Sequence, residues 1–355
     1  MRIVITTMGC RSNQAESAGM AEFLRRRGHT VLTADEADCD AVVVNTCTVT
    51  GTADKKSRNA IRRMRKRYPD ALLAVCGCLP QTEELTGING IDLVGGTSNR
   101  AAFLAALEEH VSANLTATLP EDFEDTLPDA RPLGRSRAYI RIQEGCDNRC
   151  TYCKVPAARG RARSRPSKSV LDAVRRAVED GAVEIILTGT EIGSYRPSLP
   201  ILTQAVCRAA APVPVRLSSI DPRHAGGELV GALKGEPNFR PAFHLSLQSC
   251  CDKTLAAMGR RYTAADIASA FALLRESWNG AVITADIIVG FPGETDDDFH
   301  ETLGTLKELR PEGLHIFPYS RRAGTPAAEL PGQLTRAVKE ARAKALSAAF
   351  PKVSP

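Results

Sequence analysis

A chain of 355 residues, 43% hydrophobic and 25% charged, has the composition of an ordinary globular protein and is long enough for two or three domains. It lacks an apolar run of the roughly 18 residues that a membrane span needs. The start, MRIVITTMGC, reads as a strand rather than a signal peptide, so a cytoplasmic protein with no membrane partner is expected. Eleven cysteines in a reducing compartment point to metal binding or catalysis rather than disulfides, and the net charge of +5 matters less than its clustering.

Residues 1–111 alternate strand and helix. RIVITT predicts a strand, and Asn13 to Arg27 an amphipathic helix ended by Gly28. DAVVV (40–44) reads as a buried parallel strand, followed by a helix from Ala53 to Tyr68. A buried strand from Ala71 to Val75, a short one from Ile91 to Val94 and a helix from Arg100 to His110 complete an open, Rossmann-like parallel α/β domain. Cys10, Cys47 and Cys78 each follow one of its predicted strands. The C-terminal edge of such a sheet is where ligands bind, so the topology predicts that these three thiols converge on one site. Gly9, Gly77 and Asn45 beside them suit unusual backbone conformations. Cys76 belongs to a strand end, and Cys39 lies at the opposite edge.

Residues 112–137 lack periodicity, hold four acids between Glu121 and Asp125, and carry prolines at 120, 128 and 132, which reads as a linker. From 138 to 330 six strand-like runs alternate with helical ones: 139–143, 184–189, 215–220, 243–248, 282–290 and 314–320. The helices between are expected near 168–180, 199–211, 226–234, 263–277 and 295–310. Repeated βα units imply a parallel sheet, and six of them a partial (β/α)6 barrel rather than a closed eightfold one. Residues 331–355 are expected to hold one helix, Thr335 to Ala349, and a short tail.

The segment 145–153, GCDNRCTYC, places Cys146, Cys150 and Cys153 at C-x3-C-x2-C spacing after the first barrel strand. Three thiolates are one fewer than a closed site takes. A four-iron cluster held this way keeps one iron open to a small molecule, whereas zinc favours paired C-x2-C motifs or nearby histidines, absent here. Two basic runs border the proposed sites: KKSRNAIRRMRKR (55–67), with eight cations and no acid, and ARGRARSR (158–165). Such patches suit a polyanion, and a cleft of this kind suits single-stranded RNA loops. Lys55, Lys56, Arg62, Arg63, Arg159, Arg161 and Arg163 are the expected RNA contacts. Arg260, Arg261, Arg321 and Arg322 add to the basic border.

GCDNRCTYC with VPAARGRARSR resembles the radical S-adenosylmethionine (SAM) signature of the methylthiotransferase family. TMGCRSNQAES, VVNTCTVTGTADKKSR and CGCLPQ are similar to that family's N-terminal domain, and TGTEIGSY, RLSSIDP, FHLSLQS, GRRYT, DIIVGFPGET and IFPYSRRAGTPAA to its radical SAM barrel. NTCTVT with ADKKSRNAIRRMRKR is most like the branch that modifies threonylcarbamoyladenosine next to the tRNA anticodon. The resemblance implies two 4Fe-4S clusters, on Cys146, Cys150 and Cys153 and on Cys10, Cys47 and Cys78, with SAM on the first. It implies Tyr152, Gly189 and Glu191 as SAM contacts, tRNA (its anticodon stem-loop) as substrate, and an electron donor such as flavodoxin or ferredoxin. A monomer is expected. Asp286 reads equally as a core partner or a SAM contact, and Cys250 and Cys251 as non-ligands. The family's usual C-terminal TRAM barrel is expected to be missing. A ribosomal-protein or isopentenyladenosine substrate, and a non-enzymatic iron–sulfur or zinc protein that binds nucleic acid, are the alternatives.

Overall fold

The computed structural model describes residues 1–32, 38–131 and 136–351. The chain forms two compact units, Met1–Asp147 with Lys154–Thr190, and Asn148–Cys153 with Glu191–Pro355. This division differs from a boundary at residues 112–137.

In the first unit, β1 (Arg2–Thr7), β2 (Thr30–Leu32), β3 (Ala41–Thr46), β4 (Leu72–Gly77), β5 (Leu93–Gly95) and β6 (Ala113–Leu115) form one parallel sheet, in the order β2-β1-β3-β4-β5-β6. It carries α1 (Arg11–Arg26), α2 (Gly51–Arg67), α3 (Cys78–Thr82) and α4 (Arg100–Glu108). All six residues of β3 are buried because both sheet faces are covered. Val42 and Val44 pack with Val4, Leu73 and Val75 against Ile61 and Met64 of α2. Val43 packs with Ile3 and Leu93 against Met20 and Leu24 of α1 and Phe103 of α4. Each such aliphatic side chain contributes about 1.5–3 kcal/mol. Buried positions 57, 60, 61 and 64 of α2 fall on one helical face.

β6 corrects the linker reading: residues 113–115 are the edge strand beside β5. Three residues are too few for a period-two pattern to be legible. Linker residues 132–135 and the tail at 352–355 lie outside the described residues.

Also in this unit, β7 (Arg137–Arg141) pairs in parallel with β10 (Glu184–Thr188), and β8 (Gln143–Glu144) pairs antiparallel with β9 (Arg163–Ser164). Helices α5 (Val155–Arg159) and α6 (Ser167–Glu179) complete it. A buried ion network accounts for the grouping of these elements with the N-terminal sheet. Glu16 of α1 meets Arg100 of α4 at 3.1 Å, Arg141 of β7 at 3.4 Å and Arg159 of α5 at 2.6 Å. Glu144 joins it through Arg141 at 3.0 Å and through Arg159.

The second unit holds β11 (Val215–Leu217), β12 (Ala242–Gln248), β13 (Val282–Val289) and β14 (Gly313–Pro318), the last three forming a parallel sheet. Its helices are α7 (Leu199–Ala210), α8 (Gly227–Leu233), α9 (Asp252–Ala257), α10 (Ala264–Ser277), α11 (Asp296–Leu309), α12 (Pro326–Glu329) and α13 (Arg336–Ala349). Capping boxes start α10, at Thr263 and Asp266, and α11, at Thr295 and Asp298. All six runs expected as barrel strands are strands. Along β12 and β13 every second residue is buried, which leaves the other face less covered.

Candidate metal centres and their surroundings

β1, β3 and β4 are neighbours in the sheet, and Cys10, Cys47 and Cys78 lie just past their C-terminal ends. Cys10 is exposed and caps the start of α1, while Cys47 and Cys78 are buried. The three are within electrostatic reach of one another. Burial, then the thiols of Cys78 and Cys10, push Cys47 up to about 12. Burial also pushes Cys78 up, with Cys10 adding and Arg159 opposing. Buried thiols such as these two, which resist ionisation alone, become good ligands once a cation or cluster supplies positive charge.

The loops are shaped for this approach. Gly9 has φ +111°, and a Cβ there would come within 2.6 Å of the Cys47 Cβ. Gly77 has φ +106°, and its Cβ would strike the Thr46 carbonyl. The Asn13 amide donates to the carbonyls of Met8 (3.0 Å) and Thr46 (2.9 Å), joining the first two loops, and its Oδ1 accepts from the Cys10 thiol at 3.4 Å. The Ser57 hydroxyl accepts from the Cys47 N–H at 3.1 Å and donates to the Cys47 carbonyl at 2.8 Å. Asn45 donates to the Asn13 carbonyl and to Ser17 Oγ. Cys76 packs in the core with Leu93 and Phe103.

The basic residues separate into two groups. Lys55, Lys56, Arg62 and Arg63 are exposed on α2, and Arg161 is exposed beside Asp147. Arg159 and Arg163 are buried, which corrects their reading as RNA contacts. Arg159 serves Glu16, Glu144 and Asn13 Oδ1, and Arg163 donates to the carbonyls of Pro120 and Arg159. A run of arginines does not reveal which members the fold neutralises internally. Arg322 is buried as well.

Within the cysteine motif, the Cys146 N–H donates to the Gly160 carbonyl at 3.0 Å, and Gly145 takes φ +73° against the Arg161 carbonyl. In the second unit the Cys153 N–H reaches the Cys150 carbonyl at 3.1 Å. Arg260 donates to Cys150 Sγ at 3.2 Å, to Asp221 at 2.9 Å and to the Ser246 carbonyl at 3.1 Å. It is thereby nearly buried, not part of an exposed basic border. Tyr152 meets the Phe291 ring edge-on at 6.3 Å, and Phe291 meets Tyr319 at 5.3 Å. Burial and then the Asp221 carboxylate push Glu191 up to about 7, with Arg260 acting in the opposite sense. Gly189 directly follows β10 in the first unit. Asp286 accepts from both His244 and His315, and these bonds hold it at about 2 against the burial that raises it. Cys250 and Cys251 are buried, and burial raises both thiols, Cys250 to about 12.

Sequence reasoning missed the roles of Asn13, Ser57 and Asp221. Asn13 and Ser57 occupy inward positions of predicted helices, where a polar residue is itself a signal that it has a partner.

No helix among the described residues is long and apolar enough to cross a membrane. Residues 140–306 match the radical SAM superfamily, and residues 2–95 match Uncharacterized protein family UPF0004. The chain is 34% identical over 363 residues to threonylcarbamoyladenosine tRNA methylthiotransferase MtaB of Bacillus subtilis strain 168, covering 98% of this chain and 79% of that protein. It is 35% identical over 345 residues to a tRNA-2-methylthio-N(6)-dimethylallyladenosine synthase of Acidothermus cellulolyticus, covering 93% and 69%. Among solved structures it resembles the radical SAM methyltransferase TsrM of Kitasatospora setae, with a TM-score of 0.67, 18% identity and coverage of 92% and 74%; this likeness bears on the fold. The chain belongs to the radical SAM tRNA methylthiotransferases, enzymes that transfer a methylthio group.

Proposed function

We propose that the chain adds a methylthio group to C2 of N6-threonylcarbamoyladenosine next to the tRNA anticodon, with SAM and two 4Fe-4S clusters as cofactors. The observation that carries the two-cluster reading is the placement of Cys10, Cys47 and Cys78 just past the ends of three neighbouring strands, together with the separate C-x3-C-x2-C motif. Both donor sets are three thiols, which fits four-iron clusters with one open iron. Cys146, Cys150 and Cys153 would hold the SAM-binding cluster, and Cys10, Cys47 and Cys78 the auxiliary one. When bound, these groups supply the radical and sulfur chemistry that side chains cannot.

The protein's own residues bind, orient and tune. Arg260 orients the Cys150 side chain through its hydrogen bond to the sulfur. Tyr152, with Phe291, offers an aromatic wall for the SAM adenine. Glu191 and Gly189 lie after β10, where the methionine amine would be received; an ammonium there would draw Glu191 back to its charged form. Lys55, Lys56, Arg62, Arg63 and Arg161 engage tRNA phosphates. A flavodoxin- or ferredoxin-type protein supplies electrons, and the enzyme acts as a cytoplasmic monomer.

The 34% identity over nearly the whole chain to MtaB supports the substrate. The 35% identity to a dimethylallyladenosine synthase favours the second reading, that adenosine as substrate. Mass spectrometry of tRNA nucleosides from a deletion strain decides between them. Loss of 2-methylthio-threonylcarbamoyladenosine is expected; its persistence, with loss of the dimethylallyl counterpart, establishes the second. Anaerobic reconstitution should give about eight irons per chain, falling to about four in Cys10→Ala. One zinc and no visible absorption would sink the cluster assignment.

A further inference from the structure

β12, β13 and β14 run side by side, and one face of their sheet carries His244, Thr284, Asp286 and His315. His244 pairs in register with Thr284, and Asp286 with His315. The intervening Phe243, Leu245, Ala285, Ile287 and Leu314 are buried. Among the described residues, His244, Asp286 and His315 are the one trio of His, Cys, Asp or Glu whose ligand atoms all lie within 4.8 Å of one another.

One Asp286 carboxylate oxygen faces both rings, His244 Nε2 at 2.9 Å and His315 Nδ1 at 3.2 Å. The Thr284 hydroxyl lies 2.8 Å from His244 Nδ1 and 3.2 Å from the Phe243 carbonyl. Its one proton serves either acceptor: given to Nδ1, it leaves Nε2–H to donate to Asp286; given to the carbonyl, it leaves Nδ1–H to donate to the hydroxyl and Nε2 free for a cation.

We propose that His244, Asp286 and His315 bind a first-row divalent cation of the Fe2+ or Mn2+ type. Two imidazoles and one carboxylate are the facial donor set suited to such ions, and they leave further positions open to oxygen ligands. Metal bonds of about 2.1 Å at right angles hold donor atoms about 3 Å apart. The separations of 2.9 and 3.2 Å match that spacing. Thr284 is the outer partner that fixes the His244 tautomer. The competing arrangement is a metal-free hydrogen-bond chain from Thr284 through His244 to Asp286. This site contains no cysteine and stands independently of the methylthiotransferase substrate.

The test is Mn2+ titration of the cluster-loaded chain with its clusters oxidised, reading free Mn2+ by its EPR signal. One Mn2+ per chain, displaced by Zn2+, is expected. Binding should be lost in Asp286→Asn and His315→Gln and weakened about tenfold or more in Thr284→Val. His315 is the most exposed of the trio, so its variant should keep the fold; unchanged cluster absorption checks this for each protein. Failure of the folded wild type to take up Mn2+ or Zn2+, or uptake unchanged in both ligand variants, overturns the site and leaves a metal-free hydrogen-bonded trio.

Discussion

Arg159 shows how much a single residue carries. It sits in a run of basic residues, yet its guanidinium is buried and holds two carboxylates and the Asn13 amide that contacts Cys10. Removing one partner of a buried ion pair leaves uncompensated charge. Arg159→Gln should therefore cost about 3 kcal/mol or more, read from the denaturant midpoint. The effect has a defined pH dependence. Burial raises the Glu16 carboxyl, but Arg159, Arg100 and Arg141 outweigh it and hold the group well below its ordinary 4.5. A depressed folded-state value means the stabilisation is present above 4.5 and is lost as pH falls below it. The difference between wild type and Arg159→Gln should shrink in that acid range.

Among the elements, α2 bears directly on the proposed auxiliary site through Ser57. Thr50 caps it by accepting from the Ala53 N–H at 3.0 Å, worth about 1 kcal/mol. Its inner face packs on the sheet, its outer face carries the exposed cations, and Ser57 ties it back to the cysteine loop. Ser57→Ala would leave the buried Cys47 N–H and carbonyl without that partner, costing about 1–3 kcal/mol. The loop would also lose its fixed position, so reconstituted iron should fall selectively at the auxiliary site, measured against an unchanged SAM-binding cluster. Intact iron content in a destabilised Ser57→Ala protein would show that the loop is held by other interactions.

For the whole molecule, the placement of charge separates surface from interior. Lys55, Lys56, Arg62 and Arg63 remain exposed while Arg159, Arg163 and Arg260 are absorbed into the fold. Neutralising the four α2 cations should weaken tRNA binding across sequences. It should also flatten the dependence of log K on log salt by about 3, at roughly 0.7–0.9 for each phosphate that is no longer neutralised. Binding assays over a salt series check this, and an unchanged slope would remove α2 from the interface.

The α/β class, nine of the helices and the six barrel strands were legible because each rests on local periodicity. The placement of Cys10, Cys47 and Cys78 at one sheet edge could be read from sequence because parallel strands share a C-terminal edge. Other features emerge only in the folded chain. Arg159 and Arg163 are interior because their carboxylate and carbonyl partners come from distant segments. Residues 113–115 pair as an edge strand although their own pattern is too short to signal it. His244, Asp286 and His315 meet through strand register, across 71 residues of sequence that carry no common motif (315 − 244). Local sequence specifies each element and its inward face; which charges neutralise one another, and which polar side chains face each other across strands, follows from packing that no local pattern encodes.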